Sequence, residues 1–294
     1  MQRARPRDGR QRGPRGRRRL DSLMRPSQWQ AVSLLRGCRS GCCLLVLLSA
    51  FAGVLPPAGA QSARLVHEGR DYLDLATAGA RLGMRAYWLR GHEIFRLRSQ
   101  WTNIDAAKGQ KRLYLNGTAV HLGFPTRLQD GRLYLAQADF RHVLQSILTP
   151  QVFPDRPELR RIVLDPGHGG ADSGAAYPAF GVEEKSLNLD IARRLQTLLE
   201  AAGYEVVLTR EDDQFVPLER RGRIARFHRA DLFLSIHFNA AENPQASGYE
   251  TFILTPQYQA STKFPRPTAR DNRDYPGNAH DAWNTLLGYH LQHR

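Results

Sequence analysis

Beyond residue 60 the chain has no cysteine; its three, Cys38, Cys42 and Cys43, all lie in the first 60 residues. That absence excludes disulfides, a thiol nucleophile and thiolate-bound zinc from anything folded after residue 60. Phosphate-cradling and serine-nucleophile signatures are missing too. The stretch GHGGADSG (167–174) has no Gly-Lys-Ser/Thr ending and no G-x-G-x-x-G spacing. GADSG is not G-x-S-x-G, which leaves Ser173 a poor nucleophile.

Long apolar runs are scarce. CCLLVLLSAFAGVL (42–55) is too short for a typical membrane span. Arg36 and Arg39 precede it, and Pro56, Pro57 and the small-residue run Ala58-Gly59-Ala60 follow. This order of basic, apolar and small residues predicts a signal peptide cleaved after Ala60 and an exported protein, periplasmic or in the cell wall or outside the cell, with no stable span once mature. An uncleaved anchor is the alternative; no lipobox precedes the cysteines. Residues 1–23 are rich in Arg, Gly and Pro and unlike a usual signal-peptide start, so Met24 is the better initiator.

Positive charge is abundant but local. Of the net +14, residues 1–60 supply +10 from twelve Arg and two Asp, leaving +4 for the other 234 residues. A broad nucleic-acid footprint is therefore not expected; a modest basic surface for anionic polymers is.

The 294 residues suffice for one large or two ordinary domains. From 63 to 150 short alternating runs are separated by turns. DYLDLATAGARLGM (71–84) reads as a strand and a short helix stopping at Gly83, and EIFRLRS alternates at period two. KRLYLNGTAVHLG (111–123) is a hairpin centred on Asn116-Gly117. Asp130-Gly131 marks a second turn, and a helix over 138–148 closes this small β-rich α+β domain. Its histidines, His67, His92, His121 and His142, are scattered and form no evident site. TPQVFPDRPELR (149–160) holds three prolines, which predicts a linker at 151–160.

After the linker, strands alternate with helices. RIVLD (161–165), YEVVLTR (204–210), DLFLSIHFNA (231–240) and GYETFIL (248–254) read as strands, the third of them buried. A helix over 184–203 presents Leu187, Ile191, Leu195 and Leu198 on one face, and a second covers 217–229 with Pro217 in its first turn. Five arginines on that second helix, Arg220, Arg221, Arg223, Arg226 and Arg229, read as a solvated face. The expected architecture is α/β, an open, mostly parallel sheet flanked by helices.

Chemistry concentrates at one edge of that sheet. His168 follows the first strand, Glu184 opens the first helix, and His237 ends the third strand. In a parallel sheet the strand C-termini and the helix starts share an edge, so the three can converge. Two imidazoles and a carboxylate suit zinc with a fourth position open for water, the pattern of catalytic sites. Zinc so held acidifies water and polarises a carbonyl, as amide hydrolysis requires. Glu184, rather than Glu183, is the expected ligand.

RIVLDPGHGGADSGA, GVEEKSLNLDIARRL, Thr209-Arg210, LERRGRIA, ADLFLSIHFNA and GYETFIL occur in an order that resembles the zinc-dependent N-acetylmuramoyl-L-alanine amidases of the type 3 family. The resemblance runs from residue 161 to about residue 254. It implies Zn2+ bound by His168, Glu184 and His237, with peptidoglycan as substrate cut between the lactyl group of N-acetylmuramic acid and L-alanine. Arg226 stands where that family usually has Asn, and Phe238 where it often has a small residue. The family's further catalytic Glu would lie beyond Arg294, so the catalytic base is unknown and the catalytic domain (161–294) reads as C-terminally truncated. AHDAWNTLLGYHLQHR (279–294) then reads as the helix before the last strand of the fold. Glu250 is expected to have a structural or substrate-positioning role rather than to replace that base. A non-catalytic peptidoglycan-binding or regulatory protein on a degenerate amidase fold is the alternative. Nothing in the sequence specifies an activator protein. Residues 63–150 resemble, over about half their length, the copper amine oxidase N-terminal-like domain found ahead of some secreted hydrolases.

Overall fold

The computed structural model describes residues 64–293 except 155, 242, 244, 263, 265, 269–272 and 274. The expected signal peptide, its cysteines and Met24 lie outside the described residues.

Antiparallel pairing dominates the first half. β1 (Arg64–His67), β2 (Arg70–Asp74), β8 (Arg127–Gln129) and β9 (Arg132–Ala136) form one sheet in the order β1-β2-β9-β8. β3 (Arg85–Leu89), β4 (Ile94–Arg98), β5 (Asn103–Ala106), β6 (Arg112–Leu115) and β7 (Thr118–His121) form a meander in sequence order. Period-two sequence becomes period-two burial: Phe95 and Leu97 point inward from β4, Leu113 and Leu115 from β6. The Asn116-Gly117 turn joins β6 to β7 with both residues at positive φ, as a two-residue hairpin requires. α1 (Leu75–Arg81) is capped by Asp74, whose carboxylate accepts from the N–H groups of Ala76 and Thr77. The expected second helix is continuous but underwound at its centre: α2 (Gln137–Asp139), a π-helical stretch (Phe140–Gln145) and α3 (Ser146–Leu148).

The second half carries a wholly parallel sheet in the order β13-β10-β14, from β10 (Arg161–Pro166), β13 (Glu205–Leu208) and β14 (Leu232–Ile236). A two-stranded hairpin, β11 (Ala176–Tyr177) with β12 (Val182–Glu183), leads directly into α4 (Glu184–Ala201). α4 packs over the sheet through Ala192, Leu195 and Leu199, which meet Ile162, Leu164 and Leu208. α5 (Leu218–Phe227) follows Pro217 as expected.

Four expectations need correction. The inward stripe of α4 runs Glu184, Asn188, Ala192, Leu195, Leu199, while Leu187, Ile191 and Leu198 are exposed. The helix is rotated because Glu184 must reach the strand edge, and residues 3.6 apart follow it inward. β14 is a half-exposed edge strand and not a buried one, since among the described residues no strand pairs with its far side. Residues 248–254 form no ladder. Tyr249 instead exchanges hydrogen bonds with Gln292 of α6 (Asp281–Gln292), and Ile253 sits against Gly288 of the same helix. α6 in turn packs on α3 and the π-helical stretch, with Tyr289 against the apolar cluster that includes Leu97, Leu113 and Leu144.

Arg221 is the fourth. It is buried, and it donates from α5 to the carbonyls of Val216, Pro166 and His168 and to the Asp165 carboxylate at 2.7 Å. Asp165 and Arg221 are on the face opposite α4, where Thr209 and Ser235 also donate to Asp165. A solvated arginine face describes the rest of the helix, not this residue.

Candidate metal centre

Three local devices deliver the three side chains. β10 ends at Pro166, and the chain turns through Gly167 to His168, whose own φ is +61°. Carbonyls around this turn are held by arginines. Arg210 is buried and donates to the carbonyls of Pro166, Gly167, Asp212 and Lys185. Burial, then the neighbouring Arg221, draw the Arg210 pKa below its ordinary value. Lys185 holds the Gly170 carbonyl and Asp213, fixing the outer limb of the loop.

Glu184 enters from the first turn of α4. It is 5% exposed, and both carboxylate oxygens are held by backbone: Oε2 accepts from Ala175 N–H and Oε1 from Phe238 N–H, each at 2.9 Å. Burial alone would raise its pKa. The two N–H groups, His237 and His168 outweigh that, and the carboxyl lies below its ordinary value. Its neighbour Glu183 turns away toward Lys185. His237 stands immediately beyond β14 and is exposed.

The three meet as the sequence predicts. His168 Nε2 is 3.3 Å and His237 Nδ1 3.0 Å from Glu184 Oε1, and one donor atom from each residue lies within 4.8 Å of the others. The imidazoles are 4.9 Å apart and nearly perpendicular. Two glycines make room. A side chain at Gly167 would collide with the His237 ring, and one at Gly174 with both His168 and Glu184.

The donor set passes a chemical test for a cation. His168 Nδ1 is 2.9 Å from Asp172 Oδ2, which assigns the ring proton to Nδ1. The Nε2 lone pair then faces the Glu184 carboxylate, an electron-rich pair that a shared positive ion would relieve. Donors about 2.0–2.1 Å from a tetrahedral ion stand about 3.3 Å apart, close to the His168–Glu184 separation. Sequence reading missed Asp172, Arg210 and Arg221 as supports. Only Asp172 left a local signal, a carboxylate four residues after a loop histidine.

Glu250 accepts from Asn239 Nδ2 at 3.2 Å, two residues past His237, and so braces the chain leaving the site. Among the described residues no helix is long and apolar enough to cross a membrane.

Residues 162–281 match the family model described as N-acetylmuramoyl-L-alanine amidase. The amidase AmiC of Neisseria meningitidis serogroup B is 41% identical over 139 residues, 46% of this chain and 33% of that protein. AmiA of Escherichia coli K12 is 42% identical over 114 residues, 39% of this chain and 39% of its own. The solved CwlD amidase of Clostridioides difficile, in complex with the GerS lipoprotein, is 37% identical, covering 32% of this chain and 55% of its own at a TM-score of 0.31. The chain thus spans only about a third to two fifths of the length of these curated relatives. The family that residues 162–281, the segment holding His168, Glu184 and His237, match is the N-acetylmuramoyl-L-alanine amidases.

Proposed function

We propose that this chain is a zinc-dependent N-acetylmuramoyl-L-alanine amidase that hydrolyses the amide between the lactyl group of N-acetylmuramic acid and the L-alanine of the peptidoglycan stem peptide. The observation that carries the reading is the convergence of His168, Glu184 and His237 at one edge of a parallel sheet. His168 and His237 supply neutral imidazole nitrogens and Glu184 one carboxylate oxygen. When bound, zinc supplies the Lewis acidity that polarises the scissile carbonyl and acidifies a water.

The protein's own part is positioning. Asp172 holds the His168 proton on Nδ1 so that Nε2 stays free to ligate. The N–H groups of Ala175 and Phe238 fix the Glu184 carboxylate and stop it rotating out of the cluster. Asn188, one turn along α4, donates to the Gly167 carbonyl and ties helix to loop. Glu250 keeps a positioning role through Asn239. Residues 63–150 serve as an accessory domain of copper amine oxidase N-terminal-like type, 151–160 as linker and 161–294 as the catalytic domain. Cleavage after Ala60 exports the protein to its wall substrate, in the periplasm or outside the cell.

The test is release of lactyl-linked stem peptide from purified sacculi by the full-length gene product, with and without a chelator. Chelator-sensitive release is expected. A protein that binds one zinc and releases nothing would overturn the amidase and leave the wall-binding alternative.

A further inference from the structure

The hairpin between Gly174 and α4 carries two large rings that the fold does not use. Tyr177 is 62% and Phe180 73% exposed, and their rings stack on each other, 5.2 Å between centroids and 11° from parallel. Each ring covers one face of the other and leaves its outer face open. Apolar surface of that size in water is unfavourable, and mutual stacking recovers only part of it.

The hairpin is anchored at both ends in the metal cluster. At its start, the Ala175 N–H donates to Glu184 Oε2, and the Glu184 N–H returns a bond to the Ala175 carbonyl. At its end, Glu183 pairs with Ala176 and passes directly into Glu184. Tyr177 pairs with Val182, two residues from each anchor. At about 3.3 Å per residue this sets its backbone roughly 7 Å along the strand from that of Ala175, whose N–H holds the Glu184 carboxylate. Substrate that reaches Glu184 therefore has the hairpin carrying these rings as a neighbour.

The chemistry of the hairpin selects among the parts of that substrate. Residues 176–182 read AYPAFGV and contain no charge, and the nearest charged side chain in sequence is the anionic Glu183. Nothing there would attract the carboxylates of a stem peptide. A flat, uncharged aromatic surface suits the C–H face of a pyranose ring.

We propose that Tyr177 and Phe180 form a glycan-stacking platform that holds the sugar on the muramyl side of the scissile amide. The platform rests on the amidase reading above and deepens it by dividing the substrate: glycan over the hairpin, stem peptide on the other side of the metal. Both rings are positioning residues, since neither contributes a donor atom to the cluster.

The test uses the full chain, the double variant Tyr177→Ala/Phe180→Ala and the conservative pair Tyr177→Phe/Phe180→Tyr. Zinc stoichiometry of the double variant should equal that of the parent, which shows an intact cluster. The probes are the peptide-free disaccharide of N-acetylglucosamine and N-acetylmuramic acid and, separately, the free stem peptide, each titrated by NMR. The double variant should lose about tenfold or more in disaccharide affinity, consistent with two lost ring contacts. It should bind stem peptide as the parent does, and the conservative pair should restore disaccharide binding. On a soluble muropeptide the loss should appear in KM and not in kcat. Unchanged disaccharide binding, or an equal loss for both probes, overturns the platform. Disaccharide binding that needs the rings, in a protein that releases no stem peptide, overturns the amidase reading and leaves the platform standing.

Discussion

His168 and Glu184 are each held by a group outside the trio, and these supports are as testable as the proposed ligands. Glu184→Ala should abolish stoichiometric zinc binding, measured by metal analysis after dialysis; retained zinc would remove Glu184 from the ligand set. Asp172→Ala leaves all three donors but frees the His168 ring to take the other tautomer. Loss of such a support lowers metal affinity by about 10–100-fold, which competition with a chelating dye would read. Gly167→Ala puts a methyl where the His237 ring lies, so it should weaken zinc binding while His168 and Glu184 remain intact. The convergence of His168, Glu184 and His237 was legible in the sequence because a DPGHGG loop, a helix-opening Glu and a strand-ending His occupy equivalent ends of strands and helices. Their supports were not. Arg210 and Arg221 act on carbonyls and a carboxylate from distant segments, and no spacing announces a buried arginine.

At the scale of elements, the parallel sheet is built on β10, flanked by β13 and β14 and covered by α4. Ile162 and Leu164 face α4, while Asp165, one residue on, faces Arg221, Thr209 and Ser235. Arg221→Ala would leave a buried carboxylate without its cation. Breaking a buried pair from one side costs about 3–5 kcal/mol, so urea unfolding should show a loss of that order; a loss under about 1 kcal/mol would mean that Thr209 and Ser235 suffice. Strand and helix positions in this half followed from periodicity, with two lessons in the exceptions. Four leucine and isoleucine positions suggested one inward face for α4, but with Glu184 at the site only Leu195 of the four packs on the sheet. GYETFIL has strand composition, yet a strand exists only with a partner, and Tyr249 bonds instead to α6.

Across the whole molecule, the C-terminal segment is clamped to residues 123–139 of the first half. Asp139 is fully buried and accepts from the N–H groups of Gly123 and Phe124 and from Gln259 Nε2 at 3.2 Å. Gln259 is itself buried and packs against Gly123. Burial pushes the Asp139 carboxyl up to about 7, against the pull of the two N–H groups and of Lys111. A carboxyl raised on folding favours the folded state most when protonated. Its contribution is therefore fully present below the unfolded value near pH 4 and is lost as pH rises to about 7, with a limiting slope near 1.4 kcal/mol per pH unit. Stability measured by denaturant at pH 5 and pH 7.5 should fall across that interval, and Asp139→Asn should flatten the fall. An unchanged slope in the variant would assign the dependence to other groups.

The sequence by itself determined the alternation of hairpins and then of strands and helices, because hydrophobic periodicity and Gly, Pro and Asn turns act over a few residues. It also determined which three side chains share the sheet edge, since strand direction in a parallel sheet decides that much. Only the tertiary structure decided which face α4 turns inward, that β14 has no far-side partner among the described residues, that Arg221 is buried, and that Gln259 and α6 lie against the antiparallel first half. Those outcomes depend on partners far apart in the chain. A buried charge or an unpaired strand is settled by what happens to stand opposite it, and no local pattern encodes that.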